Sequence, residues 1–235
     1  MKFMNIPDFS KFEKKLAIDF KNKSLLKQAF THRSYINENK GSGLFHNERL
    51  EFLGDAVLEL VITEFLFNKF PDKQEGELTS LRAALVNTVT ISKVAGDIGM
   101  NDFLLLSKGE SKDTGRARQV ILANTFEAFI GAIYLDQGYE LAKKFVSDNL
   151  FPELNIIVEK SLWKDSKSAF QEKAQELLSI TPVYKTINET GPDHNKIFTV
   201  GLFLGEEQLS EGKGHSKQEA QEDAAKIGLK KRGWQ

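Results

Sequence analysis

Apolar residues recur at spacings of three and four from Asp8 to about Val158, and within that region only Pro71 and Pro152 interrupt the chain. This period marks amphipathic helices. It predicts helices over Ser24–Thr31, Asn47–Phe70, Glu75–Asn87, Thr90–Ile98, Arg118–Leu135 and Tyr139–Leu150. The second of these is long, about 35 Å at a rise of 1.5 Å per residue, and Pro71 stops it. The polar, glycine-flanked stretch Lys108–Gly115 reads as a loop.

Beyond about Ser161 the period changes. Ser168–Leu178 is helical, and three strand-like runs follow: Val183–Ile187, Lys196–Phe203 and the short, edge-like Glu207–Glu211. Turn residues separate them, Gly191-Pro192-Asp193-His194 first and Gly205-Glu206 second. A last helix covers Ser216–Lys231. The expected fold is therefore an all-α domain, residues 1–160, followed by a small α+β domain of order α-β-β-β-α, residues 161–235. Glu159–Lys167 is the expected linker.

A length of 235 residues accommodates this division. The absence of Cys excludes disulfides, zinc ribbons and thiol catalysis, and fits a cytoplasmic protein. The most apolar stretch, Ala56–Phe67, is broken by Glu59 and Glu64, so no membrane span is expected. Asp8, Glu13 and Asp19 among the first lysines do not fit a signal peptide. The net charge is −1, and residues 161–235 carry 11 Lys/Arg against 11 Asp/Glu. Contact with a polyanion must therefore come from local placement of charge.

The sharpest chemical signal lies in Asn47-Glu48-Arg49-Leu50-Glu51-Phe52-Leu53-Gly54-Asp55. Glu48, Glu51 and Asp55, at i, i+3 and i+7, share one helix face. Stacked like charges repel by a few tenths of a kcal/mol per pair. A divalent cation on carboxylate oxygens would offset this; so would plain solvation near a helix N-terminus, and spacing leaves both readings open. A second acid, Glu127, with Asn124 one turn before it, sits in the otherwise apolar helix Ile121–Gly131. It is either at a wet helix edge or paired, hydrogen-bonded or metal-bound.

The run Asn47–Leu58 (NERLEFLGDAVL) resembles the signature stretch of bacterial ribonuclease III. The resemblance extends to Thr31-His32-Arg33-Ser34-Tyr35, Glu75-Gly76-Glu77-Leu78 and Ile121–Asp136, and the C-terminal α-β-β-β-α part resembles the family's double-stranded-RNA-binding domain. It implies a homodimeric, Mg²⁺-dependent endoribonuclease of double-stranded RNA, with Mn²⁺ able to substitute and no small-molecule cofactor. In-line attack of a metal-bound water would leave 5′-phosphate and 3′-hydroxyl ends with short 3′ overhangs, in ribosomal and messenger RNA processing. By motif, Glu51, Asp55, Asn124 and Glu127 are the metal cluster, with Asp55 and Glu127 catalytic. Glu48 and Glu75 are acids lining the site. Phe52 is the dimer contact, although a Phe there also fits plain core packing. His32 is expected to be structural, and His46 is assigned no role.

Asn124 departs from the family, which has Asp there. It is a tolerated variant, a change engineered to trap substrate, or the mark of a dimer that binds duplex RNA and cuts weakly or not at all. In the C-terminal domain, Ser216-Lys217-Gln218-Glu219 fits a capping box. Its helix N-terminus suits a phosphate, and Lys213, His215 and Lys217 surround it. Gln171 and Gln175, at i, i+4, fall where the family reads 2′-hydroxyls in the minor groove, or are ordinary surface. The resemblance implies that the Gly191–His194 loop, with Asn195 and Lys196, is the second minor-groove contact, and such three-point spacing reads duplex shape.

Overall fold

The computed structural model describes residues 6–159, 163, 165–192 and 196–234. The chain forms two compact units, Met1–Trp163 and Lys164–Gln235. The first is helical: α1 (Phe9–Leu16), α2 (Lys23–Ala29), α3 (Arg33–Glu38), α4 (Glu48–Lys69), α5 (Glu75–Val86), α6 (Thr88–Asp97), α7 (Arg116–Gln137), α8 (Tyr139–Asn149) and α9 (Phe151–Glu159). Three of these lie outside the predicted segments. Helix α1 starts where Asp8 accepts from the Ser10 N–H at 3.1 Å. Helix α3 is six residues long and begins on a side-chain cap, His32 Nδ1 accepting from the Ser34 N–H at 3.3 Å. Helix α9 carries Pro152 as its second residue, where a missing N–H breaks no helical bond. Helix α6 begins two residues earlier than predicted because Asn87 caps it, accepting from the Thr90 N–H at 2.9 Å.

Helices α4 and α7 form the centre, each 22 residues long and buried over much of its circumference. Around α7 packs a cluster of phenylalanines: Phe12 meets Phe30 at 5.1 Å and Phe129 at 5.4 Å, and Phe129 meets Phe145 at 5.1 Å between ring centroids. Tilted and edge-on rings at these distances add to the burial of their area. Two polar ties fix the ends of the core. Asn47 is buried, and its Nδ2 donates to the Ala29 carbonyl at 3.1 Å, so it anchors the start of α4 to α2. Asp136, near the end of α7, accepts from the backbone N–H groups of Lys21 and Asn22, each at 2.8 Å.

The second unit runs α10 (Ser166–Leu178), β1 (Val183–Thr190), β2 (Ile197–Leu204), β3 (Glu207–Gly214) and α11 (Lys217–Arg232). The sheet is antiparallel in the order β1-β2-β3. Phe170 and Ala174 of α10 pack with Leu202, Leu204 and Leu209 of the sheet and with Ala224, Ala225 and Leu229 of α11. Strand β3 continues past the predicted Glu211 to Gly214. Glycine weakens a strand pattern in sequence and often marks a close backbone approach. At Gly212 a β-carbon would stand 2.1 Å from the Ala224 nitrogen, so the missing side chain is what seats α11 on the sheet.

Candidate active site

The site is built on the crossing of α4 and α7. Gly54 faces the backbone of α7, where a β-carbon would lie 1.7 Å from the Glu127 carbonyl oxygen; Gly131 faces α4, where one would lie 2.3 Å from the Leu50 carbonyl oxygen. The two helices thus touch backbone to backbone. Because Glu51 and Asp55 flank Gly54, and Asn124 and Glu127 precede Gly131 on α7, this contact sets the acids of both helices beside one another.

The electrostatics record the crowding. Glu127 is pushed up from the usual 4.5 to about 8, by burial first and then by Asp55, Glu51 and Glu59. Burial and the neighbouring Glu48 and Asp55 carboxylates likewise raise Glu51, and Asn124 opposes the rise by donating a side-chain hydrogen bond to it. Glu51, Asn124 and Glu127 are half-buried and Asp55 is exposed. Among the described residues, no three acids or histidines are arranged to hold an ion as they stand.

The two outer acids separate. Glu48 faces Arg33 at 3.4 Å and His46 Nδ1 at 3.7 Å, and it is one of the charges raising Glu51. Glu75 opens α5, where it accepts from Thr79 Oγ1 at 3.1 Å, and it is not among the charges acting on Glu127. Glu59, readable as ordinary surface in the sequence, is among them. It pairs with Arg82 Nε at 2.9 Å, while Arg82 also donates to Thr63 Oγ1 at 3.0 Å. Its signal was the i+4 step from Asp55 along the same face. Phe52 is 81% exposed, which removes core packing within this chain as its role. His32 caps α3 through Nδ1, and burial lowers its pKa, as fits a structural histidine.

In the second unit, Gln171 and Gln175 are exposed on α10, and Thr181 Oγ1 donates to Gln175 Oε1 at 3.2 Å. Ser216 caps α11 by accepting from the Glu219 N–H at 3.1 Å. The reciprocal bond of the capping box goes one residue further back than expected, from the His215 N–H to Glu219 Oε2 at 2.8 Å. Lys217 Nζ lies 3.4 Å from Glu189 Oε1. Lys213 stands between Gly212 and Gly214, both of which face α11. By strand alternation its side chain therefore leaves the opposite face of the sheet, apart from Lys217. His194, with Asp193 and Asn195, lies outside the described residues.

Comparison with known proteins accords with this division. Residues 22–154 match the family model described as Ribonuclease-III-like, and residues 166–232 match the double-stranded RNA binding motif. Ribonuclease 3 of Borreliella burgdorferi is 45% identical over 223 residues, covering 94% of this chain and 90% of that protein. Ribonuclease 3 of a Nitratiruptor strain is 45% identical over 222 residues, 93% and 94% of the two chains. The solved nuclease domain of ribonuclease III from Campylobacter jejuni is 45% identical with a TM-score of 0.55, covering 62% of this chain and 99% of that one. Fold and site together define a nuclease that carries its own double-stranded-RNA-binding domain. The chain belongs to the ribonuclease III family, and it is a ribonuclease specific for double-stranded RNA.

Proposed function

We propose that the chain cleaves double-stranded RNA endonucleolytically with Mg²⁺, leaving 5′-phosphate and 3′-hydroxyl ends with short 3′ overhangs. It acts as a homodimer in the cytoplasm, on ribosomal RNA precursors and structured messenger RNAs. The observation that carries this reading is the α4–α7 crossing, which crowds Glu51, Asp55, Glu127 and Asn124 until Glu127 is pushed up to about 8. Such a set lacks a counter-charge, and its all-oxygen donors suit a hard divalent cation such as Mg²⁺ or Mn²⁺. When bound, the cation supplies charge relief on phosphate oxygens and a water of lowered pKa.

The chain's own residues do the rest. Glu51, Asp55 and Glu127 would hold the cation through carboxylate oxygens, and Asn124 through its amide oxygen. Burial and the neighbouring carboxylates push Glu127 up to about 8, and a divalent cation would supply the charge that favours its ionised form. The α11 N-terminus and Lys217 take phosphates, while Gln171 and Gln175 read 2′-hydroxyls in the minor groove.

The dimer reading draws on Phe52. Its exposed ring borders a cavity of about 620 Å³ walled by Leu25, Leu50, Leu53 and Leu135 and by the polar Gln28, His46, Glu48 and Arg49. A protruding ring beside a partly apolar hollow fits a self-complementary contact across a two-fold axis. The Campylobacter jejuni nuclease domain is described as having a region involved in dimer formation.

Asn124 favours a second reading, a dimeric binder of duplex RNA that cuts weakly or not at all. Cleavage of a perfect RNA duplex across an Mg²⁺ titration, for the chain and for Asn124→Asp, separates the two. Efficient cutting by the unmodified chain supports the enzyme reading with Asn124 as a working ligand. Cutting by the Asp variant alone favours the binder.

A further inference from the structure

Both ends of the acid stripe on α4 are held by arginines from other helices. Glu48, Glu51, Asp55 and Glu59, at i, i+3, i+7 and i+11, share one face of α4. At the near end Arg33 of α3 faces Glu48 at 3.4 Å. At the far end the grip is closer. Arg82 of α5 brings Nε to 2.9 Å from Glu59 Oε2, and its Nη1 donates to Thr63 Oγ1 at 3.0 Å, one turn further along α4. Contacts on two successive turns leave the planar guanidinium little freedom, and both partners of the ion pair are half-buried. Between the two ends, the charges acting on Glu51 and Glu127 are all carboxylates, and Glu59 is among those acting on Glu127. Asp55 and Glu59 are i, i+4 neighbours, a spacing at which side chains on a helix surface meet.

We propose that Arg82 is a positioning residue of the cation site: it engages Glu59, the last acid of the stripe, so that a divalent cation is held by Glu51, Asp55 and Glu127 and is not drawn toward Glu59. The proposal rests on the reading of those three acids as the metal set. The physical basis is competition between two positive charges for one carboxylate. Glu59 has the oxygen donors that a hard cation takes, and it stands one turn from Asp55. What separates it from the inner acids is that its charge is already met by Arg82. An uncharged side chain at position 82 leaves Glu59 free beside the metal set. The cation is then bound more tightly, but it is shared with a group outside the reacting arrangement. Small departures from productive geometry cost rate steeply.

The test uses the full chain. Mn²⁺ binding without RNA is read from the paramagnetic resonance signal of the free ion, and cleavage of a perfect RNA duplex is measured at saturating Mg²⁺. Arg82→Met, which keeps the apolar stem, is expected to bind Mn²⁺ about three- to fivefold more tightly, the scale of one partly exposed ion pair. It should also cut about tenfold more slowly. Arg82→Met combined with Glu59→Gln has the net charge of the parent and returns both quantities toward it. Arg82→Lys, which keeps the charge, stays closer to the parent than Arg82→Met does. Slower cleavage without tighter Mn²⁺ binding, or a double variant no better than Arg82→Met, marks a merely structural role and overturns the proposal. Tighter Mn²⁺ binding with undiminished cleavage shows Arg82 acting through charge alone and overturns it too. So does Glu59→Gln by itself if it cuts as poorly at saturating Mg²⁺ as Glu127→Gln, because Glu59 is then a ligand. If Glu127→Gln leaves Mn²⁺ binding untouched, the reading of the metal set fails, and this proposal with it.

Discussion

Gly54 and Glu127 stand so close that no side chain fits between them: a β-carbon on Gly54 would lie 1.7 Å from the Glu127 carbonyl oxygen. The acid cluster depends on that contact, because Glu51 and Asp55 approach Glu127 only as near as the two backbones allow.

Gly54→Ala therefore forces α4 and α7 apart. Overpacking of a tight core costs on the order of 1–3 kcal/mol, and more where backbone must move. For a unit of this size that is a fall in melting temperature of roughly 3–10 °C. Thermal unfolding combined with cleavage should show both stability and activity reduced. A variant as stable and as active as the parent would mean that the crossing is not what positions the acids.

Glu127 makes stability depend on pH. Its folded pKa is raised, from 4.5 to about 8, so the folded state binds the proton more tightly than the unfolded chain does. Its contribution is fully present below pH 4.5 and is lost as pH rises through about 8. Glu127→Gln removes that loss. In chelator the variant should melt above the parent at pH 8.5, with the difference shrinking toward pH 4.5, while Mg²⁺-dependent cleavage drops by about a hundredfold or more. A variant that melts lower than the parent at pH 8.5 would contradict the buried-charge account.

Asn124 donates a hydrogen bond to Glu51. An Asp there would forfeit that donor and add another like charge. Asn124→Asp is therefore expected to lower the melting temperature in chelator and to enlarge the rise on adding Mg²⁺. Calorimetric scans with and without the ion check this, and equal melting curves for both chains would show that the amide has no such role.

Phe52 is 81% exposed. Truncation to Ala should leave the stability of the isolated subunit nearly unchanged and weaken self-association by roughly 2 kcal/mol, the scale of an aromatic anchor in an interface. Sedimentation equilibrium of Phe52→Ala against the parent measures this directly. An unaltered association constant would place the subunit contact elsewhere.

Much of this molecule is determined by the sequence itself. Periods of three and four, Pro71 and the glycine-bearing turns suffice to separate a helical part from an α-β-β-β-α part. These signals are local, and neighbours along the chain carry them. The stripe of Glu48, Glu51 and Asp55 is legible for the same reason, since one helix holds all three. Helices α1, α3 and α9 escape because each is short and carries only a few apolar positions; α1 and α3 begin on local side-chain caps, Asp8 and His32, and α9 has Pro152 in its first turn. Only the tertiary structure decides which distant residues meet. Glu59 bears on Glu127, while Glu75 opens a different helix, α5. Lys213 and Lys217, four residues apart, leave different faces because strand alternation and the α11 cap intervene. Phe52 turns outward although its neighbours Leu50 and Gly54 turn in. The physical reason is common to all of these. A side chain's partners across a crossing or a sheet are set by backbone approach and register, and here those rest on glycines, whose contribution is a missing atom that leaves no period in the chain.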